Sequence, residues 1–159
     1  MITNKKDMYE FVDKLLIPEG YIRKKETYYK NNKETITIFV LDKSEFSGKF
    51  ENLVGCFFKS MMEGRNQYPK YYQNNLKFTL QNIVTKSLLV DKVFDLDNNS
   101  FDKNEREKYI NDLIIKYGLP FLDLISSSDG IIEAVKKYEN LFYTIDVKLR
   151  KKLKLKSPL

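Results

Sequence analysis

Four aspartates that lie close together in the sequence are the residues whose type and spacing come nearest to a metal site. They are Asp91, Asp95, Asp97 and Asp102. On an extended strand Asp95 and Asp97 would share a face, and carboxylate oxygens are the ligands that Mg²⁺ and Ca²⁺ prefer. The glycine and glutamate that an EF-hand loop needs at fixed positions are missing. We therefore interpret the run as a strand end, a turn and a helix cap, and expect no metal and no cofactor; a carboxylate-based, metal-dependent enzyme is the alternative.

The other residue types that commonly carry catalysis are absent or isolated. The chain has no histidine, which excludes Ser-His-Asp catalysis, Cys-His catalysis and every metal site that needs imidazole. Its single cysteine, Cys56, lies in the apolar run VGCFF and is predicted to be a buried small hydrophobe. Lys43 and Ser44 are the residue types of a nucleophile pair, but neighbours on an extended chain point to opposite faces. No glycine-rich phosphate loop is present, so the sequence predicts a protein that is not an enzyme.

A tyrosine-rich stretch, residues 63–75, has no periodicity and is predicted to be a long surface loop. It interleaves aromatic rings with positive charge, a pattern that suits stacking on single-stranded nucleic acid and equally suits a protein partner. A third interpretation is that the rings pack down on the sheet. Together with the polar turn around residues 43–49, this stretch supplies the candidate partner-binding residues, which are Lys43, Glu45, Arg65, Tyr68, Tyr71 and Tyr72.

The positive charge of the chain is concentrated at its end. The sequence has 159 residues, 28 Lys and Arg against 22 Asp and Glu, and a formal net charge of +6. Residues 147–159 hold no acid and six basic residues, which leaves residues 1–146 formally neutral. This basic segment is predicted to be a solvated helix, a contact for an acidic protein, or a contact for nucleic acid or a membrane surface. Its basic residues are Lys148, Arg150, Lys151, Lys152, Lys154 and Lys156.

The elements that position these residues begin with a helix and a series of strands. Asn4 can cap a helix whose apolar residues recur at helical spacing up to Leu16, and Pro18 and Gly20 end it. Strands are predicted at 26–30, 34–42, 50–62, 76–80 and 89–96. In the second of these, Ile36, Ile38 and Val40 share one face while Thr35, Thr37, Phe39 and Leu41 share the other, which indicates a central strand.

Helices follow the strands. Residues 101–117 are predicted to form a helix with Asp102 and Glu105 as its capping box, and Gly118 is predicted to stop it. A helical turn at 120–125 is expected next. Residues 131–149 have helix spacing, although 143–149 also alternate as a strand would, and helix is favoured. The predicted fold is α+β in a single domain, 1–159, with an N-terminal helix, a mostly antiparallel sheet of four to five strands and C-terminal helices packed on one face.

Nothing in the sequence points to export or to a membrane. The first residues contain no apolar signal region, no stretch approaches the roughly 20 apolar residues of a membrane span, and one cysteine suits a reducing compartment. We therefore expect a cytoplasmic protein without a membrane span.

Residues 20–125 resemble a known family. The motif residues are Gly20, Tyr21, Arg23, Lys24, Tyr28, Tyr29, Lys30, Lys43, Ser44, Gly48, Phe50, Asn52 and Gly55, with Asp95 and Arg106 further along. Their order is similar to that of the small bacterial proteins grouped as domain of unknown function 4304. The resemblance implies no activity, and many members of that family resemble immunity proteins of bacterial toxin loci.

The functional prediction is accordingly a non-enzymatic protein-binding module, an immunity protein that neutralises a toxin partner. The first alternative is a nucleic-acid-binding protein that uses the lysine-rich C-terminus and the tyrosine-rich loop. The second is the metal-dependent enzyme described above.

Overall fold

The computed structural model describes residues 1–62, 64 and 66–158, and within them five antiparallel strands form one sheet. Neighbours in the sheet are also neighbours in the sequence, so every connection is a hairpin or a short excursion. The strands are β1 (Ile22–Lys24), β2 (Thr27–Asn31), β3 (Thr35–Lys43), β4 (Phe50–Phe58) and β5 (Leu76–Phe78). We call the end of the sheet at residues 43–49 the tip end, and the end at the β2–β3 turn the far end.

The central strand β3 is buried on both faces, as its sequence predicts. Phe39 and Leu41 point to the face that the helices cover, which we call the helix face. Ile36, Ile38 and Val40 point to the opposite, second face. Tyr71 of the tyrosine-rich stretch and Met62 just before that stretch pack on this second face, where no helix lies against the cluster. The sheet therefore has two unequal apolar layers.

The helices form a layer on the helix face and enclose the main core. Burial raises the pKa of the Cys56 thiol to about 12, as expected for the predicted buried small hydrophobe. No helix among the described residues is long and apolar enough to cross a bilayer. The helices are α1 (Lys5–Leu16), α2 (Leu80–Ile83), α3 (Ser87–Val93), α4 (Lys103–Asp112), α5 (Leu119–Leu124), α6 (Ser128–Lys137) and α7 (Val147–Lys152).

Two strand predictions are wrong. Residues 89–96 do not form a strand, and most of them belong to helix α3. The buried residues Val90 and Val93 follow helical spacing, and Phe94, the residue after the helix, is buried too. The strand predicted at 50–62 ends at Phe58. The fifth strand is β1, which the sequence hides because it has three residues and its turn uses Lys25 at φ 55° instead of the usual glycine or asparagine.

The helix that begins after Asp102 continues past its predicted stop. The capping box is confirmed, since the Asp102 carboxylate accepts hydrogen bonds from the backbone N–H groups of Asn104 and Glu105, both at 2.9 Å. Gly118 does not end the helix, because the chain passes from α4 through a π-helical turn at Leu113–Gly118 directly into α5. Pro120 has no N–H to donate, and it sits in the first turn of α5, where that loss is small.

The C-terminal part is divided where the sequence predicts one helix over 131–149. Helix α6 ends at Lys137, a 3₁₀ segment covers Glu139–Thr144, and Ile145 makes a single antiparallel bridge to Leu76 before α7 begins. The helical and the extended interpretations each describe a part of this stretch, because the chain must bend to bring both Ile145 and Leu149 into the core.

The start of α6 is attached to the far end of the sheet by one carboxylate. Glu34, in the β2–β3 turn, accepts hydrogen bonds from the backbone N–H of Ser128 at 3.2 Å and from the Ser128 hydroxyl. These hydrogen bonds lower the pKa of Glu34, since they favour its charged form.

Replacing Glu34 with glutamine is therefore expected to destabilise the protein in a pH-dependent way. A lowered folded-state pKa contributes stability above the unfolded pKa, and that contribution is lost as the pH falls through the folded value. The Tm of Glu34→Gln should lie below that of the wild type at pH 7, and the gap should close below about pH 4. The control is Glu133→Gln, because Glu133 is an exposed acid on helix α6. The Tm difference between this variant and the wild type should not close as the pH falls.

Candidate functional site

The β3–β4 hairpin ends in a polar loop, residues 43–49, that presents one aromatic side chain to solvent. Phe46 is 97% exposed. The Lys43 ammonium donates to the carbonyl oxygens of Ser44 at 3.0 Å and Ser47 at 2.8 Å, so it braces the loop from within. The Ser44 hydroxyl accepts a hydrogen bond from the Phe46 backbone N–H at 3.2 Å. The ring of Phe46 is thus displayed on a loop with its own internal hydrogen bonds.

A second brace reaches the loop from the segment after α3. The Gly48 N–H donates to Asp97 Oδ2 at 2.7 Å, and the Leu96 N–H donates to the Gly48 carbonyl at 2.9 Å. A side chain at Gly48 would approach the Asp97 backbone nitrogen at 3.0 Å, so the two segments are in close contact. The loop is fixed from both sides.

These contacts define the roles of the predicted residues at 43–45. Lys43 positions the loop, because its ammonium donates hydrogen bonds to two carbonyl oxygens within it. The Ser44 hydroxyl bonds to the backbone, and the contact between Lys43 and Ser44 uses the serine carbonyl, so the two side chains do not form the geometry of a nucleophile pair. Glu45 is exposed beside Phe46 and is available to a partner.

The predicted tyrosines separate into two groups. The Tyr71 hydroxyl donates to Asp42 Oδ2 at 3.3 Å, and its ring lies against the second face of the sheet. Burial and the nearby Asp42 carboxylate raise the pKa of Tyr71. Tyr72 makes an edge contact with Tyr71 at 6.2 Å between ring centroids and is 59% exposed. Since Asp42 is next to the loop, this pair lies toward the tip end.

Tyr68 lies apart from this pair, beside residues of the outer strands β1 and β2. Its ring contacts the Tyr29 ring at 5.3 Å, and the Lys24 ammonium lies 5.0 Å from its centroid. The Tyr29 hydroxyl donates to the Pro69 carbonyl at 2.8 Å and ties the segment to the sheet. The sequence does not show that Tyr68 is separate from Tyr71 and Tyr72, because all three tyrosines lie in one short stretch of chain. Arg65, the remaining predicted residue, lies outside the described residues.

The aspartates considered as metal ligands serve the backbone and neighbouring side chains instead. Asp95 Oδ1 accepts the Asp97 N–H at 3.0 Å, Asp97 holds Gly48, and Asp102 caps α4. Asp91 Oδ1 accepts the Gln81 amide at 2.8 Å. Across the part of the chain that the structure describes, no group of three or more acid, cysteine or histidine residues is arranged to hold a metal ion. The predicted turn and helix cap are confirmed at Asp95 and Asp102, whereas the predicted strand end is wrong, because Asp91 lies in helix α3.

The basic segment is partly built into the fold. Leu149 is fully buried, and the Arg150 guanidinium donates to the Ile145 carbonyl at 2.8 Å and lies 4.5 Å from the Phe142 ring centroid. The lysines of the segment are exposed to solvent; they are Lys148, Lys151, Lys152, Lys154 and Lys156. Only these lysines are free to contact a partner, and Arg150 has a structural role.

Sequence reasoning missed Phe46 as a candidate. A single apolar residue inside the polar run KSEFSGK has no periodicity, so it gives no signal of a strand, a helix or a core position. The usable signal is the mismatch itself, a large aromatic residue in the middle of a polar turn.

Several residues of the sequence motif connect the helix layer to the sheet. Arg23 forms a two-pronged ion pair with Asp13 of α1, at 2.8 Å from Nε to Oδ1 and 3.1 Å from Nη2 to Oδ2. The Tyr28 hydroxyl donates to the same Asp13 carboxylate at 2.7 Å. The motif thereby joins α1 to β1 and β2.

Asn52 of β4 does the same on the helix face, nearer the other edge of the sheet. Its Oδ1 accepts the Leu80 N–H at 2.7 Å and its Nδ2 donates to Gln81 Oε1 at 2.8 Å, so one buried side chain links β4 to the start of α2. Arg106, farther along, binds carbonyl oxygens at the end of α3.

The comparison with known families agrees with this arrangement. The family described as "Domain of unknown function (DUF4304)" matches residues 12–124. The chain belongs to the DUF4304 family. The DUF4304 match runs from within α1 to the end of α5 and includes the polar loop at residues 43–49 and the tyrosine-rich stretch. Helices α6 and α7 lie outside the match. Comparison with curated proteins and with solved structures gave no match.

Proposed function

We propose that this DUF4304 protein is a non-enzymatic protein-binding module whose partner docks on the tip end of the sheet. The observation that carries the proposal is Phe46, 97% exposed on a doubly braced loop. Single exposed apolar residues are common on protein surfaces. Phe46 combines nearly complete exposure with a loop that hydrogen bonds hold from two sides. Aromatic side chains that fill a partner's pocket are typical binding hot spots, and a preorganised loop loses little conformational freedom on binding.

The charges around Phe46 indicate the chemistry of the partner. Asp42, Glu45 and Glu51 are exposed on the hairpin, and Lys49 is the exposed base among the same residues. Exposed acids therefore outnumber exposed bases on this hairpin by three to one, with Lys43 adding a half-buried positive charge, although the whole chain is positively charged. The complementary partner has an apolar pocket with a basic rim.

The finer proposal is that the partner is a toxin domain that this protein neutralises in the cytoplasm. Its support is membership of a family in which many proteins resemble immunity proteins of toxin loci, together with the exposed acids on the hairpin that carries Phe46. A toxin whose active site is basic, such as an enzyme that binds a polyanion, is the partner class that fits this surface.

The test compares two alanine variants in binding to a candidate toxin domain encoded beside the gene. Phe46→Ala should weaken binding by about 2 kcal/mol or more, roughly 30-fold in Kd, because truncation removes the anchoring ring. Leu88→Ala is the matched control, since Leu88 is 73% exposed on α3. Both variants should keep the wild-type Tm. Equal binding by Phe46→Ala and the wild type would remove the loop from the interface.

A second candidate function is contact with nucleic acid at the far end of the sheet. One observation favours it: Lys33, Lys59 and Lys152 line a surface hollow of about 560 Å³ with Phe58 in its wall, and Glu34, the acid that also lines it, accepts hydrogen bonds from Ser128. Clustered lysines attract phosphate groups, and the resulting affinity falls steeply with salt.

Charge replacement tests this candidate better than truncation. Deleting residues 148–159 would remove the fully buried Leu149 and is expected to destabilise the fold by about 2–5 kcal/mol, which would obscure any binding effect. Replacing the exposed lysines Lys33 and Lys152 of the hollow, together with Lys154 and Lys156, with glutamine should leave the Tm unchanged. If the candidate is correct, these changes reduce the affinity for a single-stranded oligonucleotide and flatten its salt dependence; unchanged affinity contradicts it.

A further inference from the structure

A cavity of about 480 Å³ lies between the second face of the sheet and the tyrosine-rich stretch, at the far end. Its floor is apolar and comes from Ile22, Tyr29 and Ile36 on three neighbouring strands. Met62 and Tyr68 line it from the covering segment. Asn31, Asn66 and Gln67 also line the cavity, so its wall is about equally polar and apolar. The volume falls within the range of small-molecule sites.

Lys59 is a cation in the wall of this cavity, and it has no ion-pair partner among residues 1–62, 64 and 66–158. Lys59 is half-buried, and its ammonium donates to the Asn32 carbonyl. Among the described residues no carboxylate lies within ion-pair distance of it, and none lines the cavity. An ammonium has three donors, so two remain for a ligand. A half-buried charge without a partner is costly unless an anion or water satisfies it.

We infer that this cavity binds a small molecule with an apolar ring body and a single oxyanion group. The ring would lie on Ile22 and Ile36 beside the Tyr68 ring, and the oxyanion would accept hydrogen bonds from the Lys59 ammonium. Aromatic ligands pack well against tyrosine edges, and a charge-assisted hydrogen bond to lysine selects an anion over its neutral analogue.

This site is separate from the proposed protein interface. Phe46 lies at the tip end, whereas Lys59 follows the last residue of β4 at the far end, so the length of the central strands separates them. Loss of the small-molecule site therefore leaves the binding of a partner at Phe46 unaffected, and the two proposals can fail independently.

Calorimetric titration of the full chain with 2-naphthoate, 2-naphthyl phosphate and the neutral 2-naphthamide tests the inference. We expect one of the two anions to bind, which also distinguishes a carboxylate from a phosphate ligand, and the amide to bind at least about tenfold more weakly. Lys59→Met, which keeps the apolar stem and removes the charge, should weaken the anion by about tenfold or more.

Two further variants supply the controls. Lys77→Met is matched to Lys59→Met, since the half-buried Lys77 ammonium also donates to one backbone carbonyl, that of Tyr72 at 3.0 Å, outside the cavity. It should bind the anion like the wild type. If Lys59→Met does not fold, Ile22→Glu and Ile22→Gln replace it, because Ile22 is 52% exposed at the cavity edge. The glutamate should repel the anion and the glutamine should not. Absence of binding by all three probes, or equal binding of the anions and the amide, would overturn the inference.

Discussion

Replacing Arg106 with leucine is expected to lower the free energy of unfolding by about 3 kcal/mol or more. Nη1 of Arg106 donates to the carbonyl oxygens of Val93 at 2.6 Å and Asp95 at 3.0 Å, and Nη2 donates to that of Asn98 at 2.5 Å. The residue is 7% exposed, so water cannot take over these roles freely. Without the guanidinium, the carbonyls at the end of α3 lose their donors.

Arg106 stabilises the helix end by hydrogen bonding, since its partners among the described residues are carbonyl oxygens rather than carboxylates. Burial lowers the pKa of Arg106, which shows that its charge is held at a cost. Lysine has a single ammonium and cannot reproduce a planar group that reaches three carbonyls, so Arg106→Lys should recover little of the loss.

Urea denaturation followed by circular dichroism measures the effect. Arg150→Leu is the control, because the Arg150 guanidinium also donates to backbone carbonyls but is half-buried. It should cost about 1 kcal/mol. A loss below about 1 kcal/mol for Arg106→Leu would show that water or a rearranged loop satisfies the three carbonyls.

The local signals in the sequence were reliable where the structure is local. Asn4, Asp102 and Glu105 cap their helices as predicted, because a cap depends on three or four consecutive residues. The two apolar faces of β3 also follow from simple alternation. These signals predict which elements form, and they give the α+β class.

The errors came from tertiary contacts. The apolar stretch 89–96 fits a strand as a short run, and it is helical because Val90 and Val93 face the core one turn apart. Gly118 resembles a helix stop, but Leu80 packs beside it and the helix continues through it. In both cases the deciding partner is distant in the sequence.

The candidate site was predicted only in part for the same reason. Tyr71, Tyr72 and Glu45 lie toward the tip end, where a partner-binding surface was expected. Tyr68 and Lys43 were expected beside them, and each has an internal contact that the sequence does not show. The exposure of Phe46 depends on the hydrogen bonds that Lys43 and Asp97 make to its loop. The family motif describes the frame that holds these residues in place.

Gly55→Ala is expected to destabilise the protein by about 3 kcal/mol. Gly55 lies in β4, and the neighbouring strand β5 is so close that an added Cβ would lie 2.2 Å from the Leu76 carbonyl oxygen. The oxygen belongs to the backbone and the backbone of residue 55 fixes the position of the Cβ, so no side-chain rotation can relieve the contact. The methyl group would also stand 3.2 Å from the Asn74 amide nitrogen. Either β5 separates from β4, or both strands shift.

Gly118→Ala is the matched control and should act in the opposite direction. At Gly118 an added Cβ would make only ordinary contacts, the nearest to Leu80 at 3.5 Å, and the backbone is already helical. Alanine should therefore stabilise the fold by about 0.5–1 kcal/mol, because it reduces the freedom of the unfolded chain. Thermal and urea unfolding of both variants measure the pair. A small loss for Gly55→Ala would mean that β5 can move away from β4 at little cost, and the Ile145–Leu76 bridge beside it would then be equally mobile.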